Sequence, residues 1–166
     1  HWHDHPDWRM KPGYIHYQAG YEWVIDNLLD FTHLAWVHPN TLGTDSASGL
    51  KPKIERDTAG LGTLTISRWY IDDDMPALHR KVAHFEGKVD RWQLIRYTMP
   101  AVVRLWTGAA PHGRNARDHV APHGAPHGAQ LDGLGMFNLN FMTPETERST
   151  HYFWAQGQDV RPADQA

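Results

Sequence analysis

The sequence predicts an α+β domain in which an antiparallel β-sheet wraps around one helix. Two observations favour this class. Apolar residues recur at three- and four-residue intervals over 21–37, whereas the later apolar segments alternate with a period of two. Runs of sequential strands with few helices between them are typical of antiparallel sheets that pack on a helix. The length of 166 residues suits a single domain with a sizeable core.

The helix is predicted over 21–37, because Pro39 disfavours helical geometry at the residue before it, His38. Residues 1–20 mix Trp, His, Asp and Pro without a period, so we expect an irregular lead-in there. Residues 40–53 are rich in Gly, Ser, Thr and Pro and are expected to form a loop.

The strands are predicted where Thr, Val, Ile and aromatic residues follow one another between turn signals. A short helix or an irregular crossing is expected over Pro76–His84, and a turn at Thr143–Glu145 is expected to separate the last two strands. The predicted strands are Gly62–Tyr70, Asp90–Thr98, Ala101–Ala109, Gly135–Met142 and Ser149–Gln156.

The segment 110–132 is unusual because it repeats the tripeptide Pro-His-Gly at His112, His123 and His127. A histidine-rich tract can bind metal. Prolines and glycines at this density do not hold a rigid set of ligands, however, so we expect a loop between two strands.

The composition excludes several classes of protein. With 16 Lys and Arg against 19 Asp and Glu, the formal net charge of −3 gives no reason to expect nucleic acid or an anionic membrane surface as a partner. The sequence contains no cysteine, and therefore no disulfide, thiolate zinc site, cysteine nucleophile or self-contained iron–sulfur cluster. No apolar run approaches the ~20 residues of a membrane span, and we expect a cytoplasmic protein. The 13 histidines raise the question of a metal.

One stretch of the predicted helix carries residues suited to metal chemistry. Asn27, Asp30 and His33 are successive i+3 neighbours and would share one helix face. His38 lies roughly 140° round an ideal helix from His33, and it can approach His33 only because Pro39 ends the helix. Two neutral imidazoles with one carboxylate form the facial triad of non-haem iron oxygenases. On spacing alone, a pair of ordinary core or cap histidines remains the alternative.

These residues also carry a resemblance to a known family. The pattern Asn27-x-x-Asp30-x-x-His33-x-x-x-x-His38 resembles the mononuclear iron motif of Rieske non-haem iron oxygenases, in the branch of vanillate O-demethylase and dicamba-demethylase-like oxygenase subunits. The resemblance implies a helix-grip (START/Bet v1-like) fold. Further blocks similar to that branch are Tyr21–Asp26, Lys81–Gln93 and Met142–Trp154.

The resemblance implies a role for each matching residue. His33 and His38 correspond to the two histidine ligands of the iron. Asp30 corresponds to the acid that links an iron ligand by hydrogen bonds to a Rieske-cluster histidine of a neighbouring subunit. Asn27 corresponds to a polar residue that orients this network near the iron.

Two strand residues, Leu105 and Asn140, correspond to positions that face the substrate pocket in the resembling demethylases. Ordinary strand alternation is the alternative explanation for both. The family's third iron ligand is a carboxylate on a late helix, and no residue of this chain matches it. The [2Fe–2S] cluster of the family belongs to an N-terminal Rieske domain with two cysteines, which this sequence does not contain.

The resemblance therefore implies part of an oxygenase, with residues 1–20 leading in from a Rieske domain and 21–166 forming a partial catalytic domain. Its function would be to demethylate or hydroxylate an aromatic compound, such as a vanillate-like methoxy acid, with mononuclear Fe(II) and O2. Electrons would arrive from a reductase through the Rieske cluster, in a homotrimer. Two other hypotheses remain: a helix-grip module that binds small molecules without redox chemistry, and an unrelated histidine-metal hydrolase.

Overall fold

The computed structural model describes residues 8–60, 62–83, 85–120 and 133–159. In chain order its elements are β1 (Trp8–Tyr17), α1 (Tyr21–Leu29), α2 (Leu34–Val37), a 3₁₀ turn (Asp45–Ser48), β2 (Lys53–Asp57), β3 (Thr63–Asp73), α3 (Ala77–Val82), β4 (Val89–Thr98), β5 (Val102–Pro111), α4 (Ala116–His119), β6 (Leu134–Thr146) and β7 (Ser149–Asp159).

The strands form one seven-stranded antiparallel sheet in the order β1-β7-β6-β5-β4-β3-β2. From β2 to β7 each strand pairs with the strand that follows it in the sequence, and β1 lies outside β7. All five predicted strands are present, and the segment after Pro76 forms the short helix α3. The predicted α+β class, with a helical segment held by an antiparallel sheet, is confirmed.

The prediction of an irregular lead-in is wrong for the residues of β1. Trp8 to Tyr17 pair in continuous register with β7, from Trp8 opposite Asp159 to Tyr17 opposite Thr150. Most side chains of β1 are exposed on both faces, so the strand lacks the apolar alternation that identifies a half-buried strand. Apart from the buried Trp8, β1 is held to the sheet mainly by backbone pairing with β7.

The predicted helix over 21–37 is also wrong in its continuity, because the chain leaves helical geometry at Asp30. The Asp30 carboxylate Oδ1 accepts hydrogen bonds from the Thr32 amide at 2.8 Å and from the Thr32 hydroxyl at 2.6 Å. Local side-chain acceptors of this kind compete with the helical hydrogen bonds. Helix α1 therefore ends at Leu29, and the single turn of α2 begins after His33.

The hairpin between β6 and β7 turns later than the Thr143–Glu145 turn predicted from the sequence. Pro144 still lies opposite Thr150, and a bulge before Thr146 carries the ladder on to Ser149. The strands therefore continue through the proline. Of the segment predicted as a loop over 110–132, Pro111 ends β5 and 116–119 form α4, while residues 121–132 lie outside the described residues.

The sheet buries residues on both faces. On one face, Ile25, Phe31 and Leu34 of the helical segment pack against a cluster that includes Ile95 and Val103 of the central strands. A second cluster covers the opposite face, with the side chains of Trp8, Trp92, Trp106, Phe137, Ala116 and Val120 at its centre. Between residues 8 and 159, no described helix is long and apolar enough to cross a membrane.

Candidate functional site

A cavity of about 390 Å³ lies between the helical segment and the sheet. This volume is in the range of sites that bind small organic molecules. Its apolar wall includes Leu28, Phe31, Leu34, Leu42, Leu78, Leu105 and Met136. Its polar groups come from Asn27, His33, His38, Thr41, His79, Arg91, Gln93, Thr107, Asn138 and Gln156. The cavity is therefore mostly apolar with polar groups that converge on it.

His33 and His38 lie at the two ends of α2 and line this cavity together. Their ring centroids are 5.6 Å apart, with the rings edge-to-face at 69°. Because α2 is only one turn long, the 140° separation expected on an ideal helix does not hold the rings apart.

Asp30 and Asn27 lie on the N-terminal side of this pair. Asn27 lines the cavity, while Asp30 is exposed at the break between α1 and α2. The hydrogen bonds from the Thr32 hydroxyl and amide hold the pKa of Asp30 below its usual range, and the positive charge of Arg68 acts in the same direction. Asp30 is thus kept as a carboxylate beside His33.

The two predicted substrate residues lie in different environments. Leu105 of β5 lines the main cavity. Asn140 of β6 lines a smaller cavity with Asn138 and Tyr152. The Asn140 amide donates to the Val103 carbonyl at 3.0 Å and accepts from the Tyr152 hydroxyl at 2.6 Å, so both ends of this side chain are occupied by buried hydrogen bonds.

The structure adds a residue that the sequence reasoning did not identify, His79 on α3. Its side chain lines the cavity, only 4% of the residue is exposed, and neither ring nitrogen has a hydrogen-bond partner among the described residues. Burial lowers the pKa of His79 from 6.5 to about 4, and the positive charge of Arg91 contributes in the same direction. His79 is therefore a neutral imidazole near pH 7.

Arg91 of β4 is a second buried polar residue in the cavity wall that sequence reasoning missed. Its guanidinium donates to Asp73 Oδ2 through Nε at 2.7 Å and through Nη2 at 2.6 Å. Nη2 also donates to the Thr44 hydroxyl at 2.6 Å, and the Ser46 hydroxyl donates to the Asp73 carboxylate. The guanidinium carbon lies 4.1 Å from the centre of the Tyr70 ring. This network joins the loop that follows α2 to the sheet.

The buried His79 leads to a prediction about pH. The unfolded chain takes up a proton at His79 near pH 6.5, whereas the folded protein keeps the imidazole neutral until about pH 4. The unfolding free energy should therefore fall by about 3 kcal/mol between these two pH values on account of this residue. Urea denaturation across the interval measures the effect. His79→Leu should flatten the profile and His119→Leu, at an exposed position, should not; parallel profiles for all three proteins would contradict the prediction.

Among the described residues, the one group of three potential metal ligands whose donor atoms lie within 4.8 Å of one another is at the surface, not in the cavity. It consists of His16 of β1, Glu145 of β6 and His151 of β7. His16 Nε2 lies 2.7 Å from Glu145 Oε2, and His151 Nε2 lies 3.7 Å from Glu145 Oε1. The Tyr14 hydroxyl lies 2.8 Å from His151 Nδ1. This surface cluster has to be controlled for in any measurement of bound iron.

Comparison with known proteins identifies the family of this chain and agrees with its fold. The sequence profile of the vanillate O-demethylase oxygenase C-terminal domain matches residues 17–166. The chain is 55% identical to the toluene-4-sulfonate monooxygenase system iron-sulfur subunit of Comamonas testosteroni, over 99% of this chain and 45% of that protein. It is 31% identical to the vanillate O-demethylase oxygenase subunit of Pseudomonas sp., over 97% of this chain and 44% of that protein.

Solved structures show the same fold. Dicamba monooxygenase bound to 3,6-dichlorosalicylic acid matches with a TM-score of 0.75 and 23% identity, over 96% of this chain and 42% of that chain. The chain thus spans less than half the length of these relatives. Because the family profile covers nearly the whole sequence, the chain belongs to the vanillate O-demethylase oxygenase C-terminal domain family, a family of Rieske oxygenase catalytic domains.

Proposed function

We propose that this chain supplies two histidine ligands and the substrate cavity of a Rieske-type oxygenase that demethylates or hydroxylates an aromatic compound. The observation that carries the proposal is the pair His33 and His38, which lie at the two ends of a one-turn helix and line one cavity. Its substrate class would be an aromatic acid, as in a vanillate-like methoxy acid. The toluene-4-sulfonate, vanillate and dicamba named for the relatives are all aromatic acids.

The residues fit the metal that the family implies. The two imidazoles face one cavity, and imidazole in its neutral form is a common ligand of Fe(II); a carboxylate would complete a facial triad with open positions. Within the described residues, no carboxylate lies close enough to His33 and His38 to form a group of three ligands with them. We therefore propose that the carboxylate ligand lies outside the described residues. When bound, the iron supplies activation of O2 for oxidation of the substrate.

The chain's own residues position the substrate and the ligands. The apolar wall around Leu28, Phe31 and Leu105 holds an aromatic ring and excludes water from the reacting carbon. We propose that Asp30, held as a carboxylate by Thr32, accepts a hydrogen bond that fixes the orientation of an imidazole. We propose that electrons pass by Asp30 from a [2Fe–2S] Rieske cluster of a neighbouring subunit in a homotrimer, supplied by a reductase.

The test compares histidines of the cavity with histidines of the surface cluster. In the protein expressed from its full reading frame, His33→Ala and His38→Ala should each lower the affinity for the mononuclear iron by more than the roughly 10–100-fold that follows loss of an outer hydrogen-bond partner. Substrate-dependent O2 uptake should fall with it. His16→Ala should leave both unchanged, because that residue lies on the surface at β1.

Metal analysis after desalting, with the iron of the [2Fe–2S] cluster determined separately from its visible absorbance and subtracted, distinguishes the outcomes. If His16→Ala removes the iron while His33→Ala retains it, the metal binds at the surface cluster and the proposal fails. If His33→Ala loses iron but substrate turnover persists without O2, the chain belongs to a different reaction class.

A further inference from the structure

His79 is a buried side chain whose hydrogen-bonding groups are not used within the described part of the protein. A neutral imidazole offers one N–H donor and one acceptor nitrogen. Both nitrogens are buried and unpartnered, although the ring lines the cavity. Leaving such groups unpaired costs about 1–3 kcal/mol each. A ligand that occupies the cavity and accepts a hydrogen bond would remove part of this cost.

The groups around His79 indicate the chemistry of that ligand. On β4, Arg91 and Gln93 are two residues apart, so both point to the helix face of the sheet and line the same cavity. Gln93 accepts a hydrogen bond from the Tyr70 hydroxyl through Oε1, which leaves its amide N–H groups to donate. Arg91 adds a guanidinium to the wall, and its Nε and Nη2 already donate to Asp73. Among the described residues that line the cavity, none is a carboxylate.

The position of α3 places this group of donors close to the histidine pair in the fold. The Leu78 amide, at the residue before His79, donates to the Thr41 carbonyl at 2.9 Å. Thr41 lies in the loop that follows His38, and its own amide donates to the His38 carbonyl at 3.1 Å. The backbone therefore connects the start of α3 to the C-terminal end of α2, and a ligand in the cavity can contact both groups.

We propose that His79, together with Arg91 and Gln93, forms a subsite for the acidic group of an aromatic ligand, a sulfonate or a carboxylate, with the His79 N–H donating to one of its oxygens. The apolar wall of the cavity holds the ring of the same ligand. This subsite rests on the proposed function for its role in catalysis, since it would orient the substrate of that reaction. It makes His79 a residue that determines specificity for acids.

The test uses matched pairs of ligands that differ in charge and little in shape. The pairs are toluene-4-sulfonate with toluene-4-sulfonamide, and 4-methylbenzoate with 4-methylbenzamide. Titration calorimetry on the protein expressed from its full reading frame, without O2 or reductant, should show each acid binding more tightly than its amide. His79→Leu should weaken acid binding at least about tenfold, the size of one charge-assisted hydrogen bond, and change amide binding less than twofold.

Two further variants complete the design. His79→Gln keeps an N–H donor and should retain part of the preference for acids. His119→Leu, at an exposed position of α4, should bind every ligand as the unmodified protein does. Equal affinity for acid and amide in the unmodified protein would overturn the proposal without any variant. Equal weakening of acid and amide by His79→Leu would also overturn it, because that pattern reflects packing alone.

The ligand pairs separate the two sources of an acidic group. A preference confined to the sulfonate pair, or to the carboxylate pair, supports the subsite and assigns its substrate class. Because the measurement involves no turnover, loss of iron-dependent activity with an intact acid preference counts against the proposed oxygenase function and leaves the subsite standing. Full activity on a neutral substrate with no acid preference counts against the subsite alone.

Discussion

Asp73→Ala is expected to destabilise the protein by about 3–5 kcal/mol, because it leaves a buried guanidinium without its counter-charge. The Arg91 side chain is 3% exposed and the Asp73 side chain 13%, and two nitrogens of Arg91 donate to one carboxylate oxygen. Ser46 also donates to this carboxylate. Loss of Asp73 should therefore unfold the connection between the 44–48 segment and the sheet, and with it one side of the cavity.

The adjacent residue provides the matched control. Asp74 pairs with Lys88 at 3.0 Å, but both side chains are largely exposed, at 68% and 51%. Solvent-exposed ion pairs contribute little to stability, so Asp74→Ala should not change the midpoint of urea denaturation within error. Similar midpoints for the two variants would show that the buried pair contributes no more than the exposed one, contrary to this expectation.

Trp92→Ala should be comparably destabilising, by about 3–5 kcal/mol, as is usual when a large buried aromatic residue is removed. Trp92 is fully buried, with ring centroids 6.0 Å from those of both Trp69 and Trp106. Its ring lies against Gly108 on the neighbouring strand, where a Cβ atom would come within 2.1 Å of Trp92 Cζ2. The glycine leaves space that the indole fills, so truncation of the indole would create a cavity inside the cluster.

Two other substitutions test that reasoning by chemical denaturation. Trp92→Phe keeps much of the ring and removes an unpartnered buried N–H, so it should cost much less than Trp92→Ala. Trp23→Ala removes an indole from a residue that is 73% exposed and should change stability by less than about 0.5 kcal/mol. A large effect at Trp23, or a small one at Trp92, would contradict the burial argument.

The strands that sequence reasoning located are those with a buried face. In β5, for example, Val103 and Leu105 point to the helix face while Trp106 points to the opposite cluster. The strands it did not locate bury few or none of their side chains. Every residue of β2 is exposed, and β1 contains Pro12 and Gly13 with mostly exposed side chains. Such strands are held by backbone pairing, which leaves no periodic signal in the sequence.

The sequence identified the two histidines of the pair, but it did not predict how the backbone around them is arranged. Spacing and resemblance both pointed to His33 and His38, which the fold brings to one cavity. The break between α1 and α2 depends on a hydrogen bond between Asp30 and Thr32. An Asp followed two residues later by Thr is a signal for such a turn, and strong apolar periodicity on either side of it outweighed that signal.

His79 and Arg91 could not have been identified from the sequence. Each lies in a segment where a histidine or an arginine is an ordinary surface residue, next to Arg80 in one case and Asp90 in the other. Their importance comes from burial and from partners distant in the chain, such as Asp73 and Thr44 for Arg91. Only folding of the chain brings His79 and Arg91 to the wall of the same cavity.

The two outer strands of the sheet have a consequence for association between molecules. An open sheet exposes unpaired backbone groups along each edge, where a strand of another molecule can add. At one edge, β2 carries Lys53, Glu55, Arg56 and Asp57, whose charges an added strand would have to desolvate. At the other edge, Pro12 of β1 has no N–H to offer such a strand. The exposed charged residues of β2 and the proline of β1 give these strands no periodic sequence signal. The same residues therefore also disfavour the addition of strands from other molecules at the sheet edges.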